Sequence, residues 1–242
     1  MEPKTSRPDL INFIKDKRHI EHIVDKYKDK YPEVYGINRS GSTLLYNIVN
    51  TIFDGNVGVK RGAFFETDQK IIGVYRDFRD SAISQWRVNS WNQVGTFACE
   101  KDAVVASWDQ VHTFAHEIRR QVREDLRRLR ERYDDTQLLL VRYELYNEDF
   151  DYLCDQLEIF LDIVISQELR GFINQTWNKQ RVRKEYTEPL KDFWYSNEET
   201  YFHGGHIYKG SHGTWKELLR PEDHHIINEF MKEELEEWEY QL

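Results

Sequence analysis

The sequence predicts an α/β fold, a single domain with a central parallel β-sheet flanked by helices. Three observations predict it. Short apolar runs, at the start of residues 34–49 and at 71–75 and 137–142, alternate with longer stretches of helical period, the order that builds βαβ units. The first of these runs, in VYGINRSGSTLLYNIV, passes through a glycine-bounded, hydroxyl-rich loop straight into a helix. And 242 residues, with neither an internal repeat nor a composition shift that marks a linker, suit one large domain.

In chain order, residues 1–8 read as a loose tail. Residues 9–31 place Leu10, Ile11, Ile14, Ile20, Ile23, Val24 and Tyr27 mostly on one face of a charged helix that Pro32 ends. The division expected is therefore a tail and helix over 1–32, packed on a domain of 33–242. After the first strand and loop, a helix runs to about Phe53 and turns at Asp54-Gly55; 56–60 is a possible short strand. IIGVY at 71–75 is β-branched and apolar throughout, as a buried parallel strand should be, and 79–89 follows as helix. Residues 102–132 form the longest helical stretch, with Val104, Trp108, Val111, Ala115, Ile118, Val122, Leu126 and Leu129 as one stripe. Its many arginines alternate with Glu117, Glu124, Asp125 and Glu131, which makes a solvated face rather than a nucleic-acid surface. A strand at 137–142, helices at 149–161 and 167–176, a polar aperiodic loop at 175–213 and a last helix at 221–240 complete the chain.

Composition narrows the partners. Aromatics at 14% and hydrophobics at 39% indicate a folded core, and charged residues at 32% a strongly solvated surface. A formal charge of −9 argues against general nucleic-acid or membrane-surface binding, so an anionic ligand has to be held by local cations. Cys99 and Cys154 form neither a CxxC nor a Cys/His metal spacing. The longest aliphatic run, 138–141, cannot span a bilayer, and the polar N-terminal stretch lacks a signal-peptide apolar core. A reducing, cytoplasmic setting is the default.

Three cationic, glycine- or serine-bearing segments then point to a phosphorylated ligand. Gly36, four residues, Gly41, Ser42 and Thr43 have the skeleton of a phosphate loop in which serine replaces the Walker lysine. Glycines admit the anion, the helix offers its N–H groups and positive end, and Arg39 supplies the cation inside the loop. YRDFRDSAISQWR follows the IIGVY strand at its carboxyl end, where ligands of parallel sheets collect. There Arg76 and Ser84 can both donate to a second phosphate, whereas Arg79 and Asp80 can each pair with neighbours as structural ion pairs. Lys209, Gly210 and Gly213 lie in a third segment, IYKGSHGTWKELL.

These segments resemble the motifs of sulfotransferases that use 3′-phosphoadenosine 5′-phosphosulfate (PAPS). RSGST resembles the 5′-phosphosulfate loop, written KSGTT or RSGTT in that family. RDFRDSAIS resembles RDPRDxxxS, LLVRYE resembles LLxxYED, and YKGSHGTW resembles the late RKGxxGxW. The resemblance spans about residues 35–216. It implies a P-loop-like sulfotransferase fold and a sulfuryl transfer from PAPS, leaving adenosine 3′,5′-bisphosphate (PAP), to a hydroxyl or amine of a small-molecule or carbohydrate acceptor, with no metal. It places Arg39, Ser40, Gly41, Ser42 and Thr43 on the 5′-phosphosulfate, Arg76, Ser84, Lys209 and Gly210 on the 3′-phosphate, and Tyr143 beside adenine. Thr176 and Trp177 stand near a further adenine contact. Leu44 and Tyr208 depart from the family pattern, which has tryptophan and arginine there.

For the chemistry, Arg39 neutralises the leaving group and Lys60, matching the KTH lysine, touches the sulfonate. The KTH histidine aligns with Gly62. Glu66 is the first candidate base and Asp68 the second, an exposed loop carboxylate being the alternative for Glu66. His203, His206 and His212 flank the late loop. The aromatic stretch 192–202 is either a lid or plain core. Two other readings stand beside the transferase: a non-catalytic PAP-binding protein of the same fold, and a P-loop nucleotide kinase, which the missing Walker lysine disfavours.

Overall fold

Four strands, Glu33–Gly36 (β1), Lys60–Arg61 (β2), Ile71–Tyr75 (β3) and Leu138–Arg142 (β4), form one parallel sheet in the order β2-β1-β3-β4. The computed structural model describes residues 18–28, 30–57, 60–94, 105–147, 149–187, 200–202 and 211–242. Register follows the apolar runs: Val34 pairs with Ile72, and Ile72 with Leu139. Alternate residues feed two cores, one on each face of the sheet. Val34, Ile72, Val74 and Val141 enter one; Tyr35, Ile71 and Leu138 enter the other.

The first core is covered by Arg18–Lys26 (α1) and Ser42–Ile52 (α2), whose Ile20, Ile23, Leu45 and Ile48 are buried there. The second lies under Phe78–Val94 (α3) and Trp108–Gln121 (α4). The long helix expected over 102–132 is not a continuous α-helix in its described part. After α4 it passes through a π turn, Val122–Leu126, and resumes as Arg127–Arg132 (α5). Before it, Ala106 makes a bridge to Leu219 instead of joining the helix. Such a turn is a local insertion in the i→i−4 ladder and often serves a site; here it spaces two buried side chains that hold loops, as shown below.

Tyr143–Tyr146 (α6) follows β4 directly, then Phe150–Leu161 (α7) and Gln167–Trp177 (α8) return to the first core. Two expectations need correction here. Residues 175–213 do not begin as a loop, because Lys179–Val182 (α9), capped by the Asn178 side chain on Arg181 N–H, and the π turn Arg183–Thr187 extend the helical run. The helix expected over 221–240 is in pieces: a 3₁₀ turn at Pro221–Asp223, then His224–Phe230 and Lys232–Glu237, broken at Met231. The break lets Met231, Leu235 and Trp238 all bury against the second core. Between these segments Trp215–Leu218 caps the late loop. Of the strand expected at 56–60, Asn56 and Val57 are not strand, 58–59 lie outside the described residues, and the strand present is Lys60–Arg61.

Candidate functional site

The chain leaves β1 at Gly36, turns through residues 37–41 and enters α2. The turn needs its glycines. A Cβ on Gly36 would sit 2.6 Å from Ser42 Cβ and 2.7 Å from Ser40 Oγ, so the loop folds back over the strand end only without one. Gly41 has φ 95°, and a Cβ there would meet the Tyr143 ring at 2.4 Å. Arg39 also lies in the left-handed region, at φ 63°, an unusual conformation for a non-glycine residue and one that clusters at functional sites. Ser40 Oγ closes the turn on the Ile37 carbonyl at 2.8 Å. The first N–H groups of α2 have no partner inside their own helix, which leaves donors at its start.

Cations gather over this loop. Lys60, at the start of β2, donates to Thr43 Oγ1 at 3.0 Å. Arg39 Nε donates to Ser84 Oγ at 3.1 Å, which brings an expected 5′-loop residue and an expected 3′-phosphate residue into direct contact. Burial, then Arg87 and Arg76, push the Arg39 guanidinium down to about 9, with Tyr143 opposing; it still carries its proton at neutral pH. Burial and then Arg39 push the Lys60 amine down to about 8. Like charges depress each other's pKa because each disfavours the charged form of its neighbour, and an anion among them removes that cost. Arg87, buried on α3 one turn beyond Ser84, was not singled out from the sequence; its helical spacing from Ser84 was the available signal.

Arg76 stands at the end of β3. Its Nη2 donates to the Ser211 carbonyl at 2.7 Å and lies 3.5 Å from Asp80, and its guanidinium sits 5.1 Å from the Tyr143 ring centre. Its buried Nε has no hydrogen-bond partner among the described residues. Asp80 accepts from Gly213 N–H at 2.7 Å, Thr214 Oγ1 at 3.0 Å and Trp215 N–H at 2.8 Å, so the segment after β3 holds the late loop. Arg79, as its structural reading had it, forks onto Asp77 and reaches Asn228 Oδ1 and the Gln241 carbonyl, each at 2.7 Å.

A cavity of about 250 Å³ opens at this end of the sheet, lined by Gly36, Asn38, Arg39, Gly41, Ser42, Thr43, Lys60, Arg61, Gly62, Gln85, Val88 and Tyr201. Most of the expected 5′-loop residues and Lys60 therefore meet at one place, while Ser40 is buried in the turn itself. Glu66 and Asp68 do not join them. Both are exposed and line no part of this cavity, and Asp68 pairs with Lys30 at 3.4 Å. Lys209, Gly210, His203 and His206 lie outside the described residues, as does 192–199; His212 is exposed. Of the aromatic stretch, Phe202 is buried 6.4 Å from the Trp177 ring, and Tyr201 is set against Tyr46 at 5.1 Å. Trp177 Nε1 donates to Thr51 Oγ1 at 2.9 Å, and the buried Thr176 Oγ1 has no partner among the described residues. Among the described residues no group of His, Cys, Asp and Glu is arranged to hold a metal, and no helix is long and apolar enough to cross a membrane.

The family model described as the sulfotransferase domain matches residues 56–239. The chain belongs to the sulfotransferase family. Solved sulfotransferase structures share its fold. Mouse sulfotransferase SULT7A1 complexed with PAP aligns with a TM-score of 0.58 at 14% identity, over 90% of this chain and 88% of that one. Retinol dehydratase with retinol and PAP gives 0.57 at 14%, over 93% and 87%; its complex with androsterone and PAP gives 0.55 at the same identity. A search of the curated proteins finds no match. The sulfotransferase model begins after the Gly36–Thr43 loop, so the loop's role rests on its own geometry.

Proposed function

We propose that this sulfotransferase takes its sulfuryl group from PAPS and passes it to a hydroxyl or amine of a small-molecule or carbohydrate acceptor. The observation that carries the reading is the cluster of cations around a glycine-shaped helix start, in which buried Arg87 and Arg76 help depress Arg39 and Arg39 helps depress Lys60. The unpartnered Nε of buried Arg76 fits a second anionic group beyond the first. PAPS bound there supplies the sulfuryl group and leaves as PAP.

The chain's own residues divide the work. The loop and the first turn of α2 turn N–H donors and the helix's positive end to the 5′ group. Arg39 neutralises charge developing on the leaving phosphate electrostatically, since it keeps its proton. Lys60, held by Thr43, stabilises the transferring group's oxygens. Arg76, with Ser84, Lys209 and Gly210, holds the 3′-phosphate, and Tyr143, already against Gly41 and Arg76, borders the adenine side. Neither a carboxylate nor an imidazole lines the cavity among the described residues, and this favours, as a second reading, a protein that binds PAP without transferring sulfate.

Calorimetry and transfer assays separate the readings. PAP should bind more tightly than AMP, and Arg76→Ala should remove ~1.5–3 kcal/mol of that preference, the worth of a charged hydrogen bond. Arg39→Ala should abolish transfer of labelled sulfate at saturating PAPS while Arg39→Lys keeps some. PAP binding with no transfer to any acceptor would select the second reading, and equal affinity for PAP and AMP would remove both.

A further inference from the structure

Asn38 stands immediately before Arg39 and lines the cavity alongside Gln85 and Val88 of α3. Its carboxamide is held in one orientation from α4. Asn38 Nδ2 donates to Glu117 Oε1 at 2.9 Å, and Asn38 N–H donates to Gln121 Oε1 at 2.8 Å. Gln121 Nε2 donates to the same Glu117 oxygen at 3.3 Å. An ionised carboxylate only accepts, so it selects the NH₂ end of each amide that faces it. Gln121 has no choice either, because its oxygen is taken by the Asn38 N–H. The directions of the three bonds agree, and they leave Asn38 Oδ1 as the limb of a planar group not turned to Glu117. Among the described residues nothing donates to Oδ1.

We infer that Asn38 binds the acceptor, with Oδ1 receiving a hydrogen bond from the acceptor O–H or N–H, and that Glu117 is the positioning residue that holds the amide so. This rests on the sulfotransferase reading and names what that site asks of its acceptor: a donor proton on the attacking atom. The attacking atom forms its bond to sulfur as the bond from sulfur to the 5′-phosphate oxygen breaks, and the electron pair of that bond stays on PAP. The acceptor proton goes to solvent. Asn38 does not take it, because a carboxamide has no basic site near neutral pH. It aims the lone pair instead. Gln85, one residue past Ser84, provides a second amide on the same cavity wall.

The test uses the full chain and PAPS labelled in the sulfuryl group, with water and a naphthol as acceptors, and reads both label transfer and PAP release. Asn38→Ala should lower transfer roughly three- to tenfold, the worth of one neutral hydrogen bond, with PAP affinity within about twofold of the wild type. Asn38→Asp should lose at least as much, because it sets two carboxylates face to face. Adding Glu117→Gln to Asn38→Asp should restore transfer, since the new amide donates to the carboxylate at position 38 and leaves that carboxylate's other oxygen free to accept, as Oδ1 is in the wild type. PAP affinity reports the position of the loop, so transfer that falls while affinity holds, and returns in the double variant, is the expected signature. Wild-type transfer in Asn38→Ala overturns the inference alone. So does PAP affinity falling in step with transfer, which would make Asn38 a brace for the loop. A wild type that releases no PAP from PAPS with these or any other hydroxyl or amine acceptor removes the transferase reading and this inference together.

Discussion

A cation set beside another holds its proton less tightly, and Lys60 shows the measurable result. Its amine is held down to about 8, first by burial and then by Arg39. An anion at the site lifts it again, so PAP binding should take up a proton above about pH 8. Affinity should then fall as pH rises from about 8 towards the ordinary lysine value near 10.4. The nucleotide-free protein should do the reverse. Over that window the unfolded chain binds more protons than the folded one, so stability rises with pH. Calorimetry in buffers of differing ionisation enthalpy counts the proton, and Lys60→Met should abolish its uptake; uptake that persists in the variant would place the titrating group elsewhere. Glu66 gives the opposite kind of prediction. Exposed and outside the cavity, Glu66→Ala should leave transfer within about threefold, whereas a loss of ~10²-fold or more would restore it as the base. Arg39, Lys60 and Arg76 could be picked out as candidates because each belongs to a local motif beside a strand. Arg87 and Asn38 were not, because their parts depend on how α3 and α4 pack over the loop.

At the scale of elements, the helix α4 and the π turn after it act as a hanger for two loops. Glu117 and Gln121 hold Asn38, and four residues on, buried Asp125 accepts the Phe64 N–H at 3.0 Å. A regular α-helix drifts by roughly 40° over each four residues. The wider π turn takes back part of that drift, so Gln121 and Asp125 can serve loops that leave adjacent strands. Apolar periodicity cannot show such a turn, since Val122, Leu126 and Leu129 continue the stripe across it. Asp80 does for the late loop what Asp125 does for Phe64, with three donors from residues 213–215 on one carboxylate. Asp80→Asn should lower stability by ~1.5–3 kcal/mol, because an amide cannot accept at both ends. It should also weaken PAP binding, since Arg76 reaches the same loop through Ser211. Denaturant titration with and without PAP checks both; unchanged stability would show that the loop is held by other contacts. The alternation of strand and helix was readable in the sequence, but the break at Met231 was not. It is set by which side chains the second core admits.

For the molecule as a whole, the site lies at the carboxyl ends of β1, β2 and β3 and draws its support from distant parts of the chain. The strand order was not in the sequence; only the parallel arrangement was, through the buried character of the runs. Nor was the backing of the site. Glu144, just after β4, accepts the Asp77 N–H at 2.8 Å and the Tyr240 hydroxyl at 3.2 Å, while Arg79 reaches the Gln241 carbonyl. Tyr240 and Gln241 thus brace the segment that follows Arg76. Removing residues 240–242 should lower the melting temperature by several degrees and weaken PAP binding in calorimetry, and a truncated protein with unchanged affinity would show the brace to be dispensable. The same backing sets a timetable during synthesis. Arg79 and Gln241 are 162 positions apart, so a ribosome adding ~5–20 residues per second makes the second partner roughly 10–30 s after the first. For that interval the nascent chain carries its Gly36–Thr43 loop and its arginines before the residues that brace them have been added, and a folded site has to wait for translation to pass Gln241.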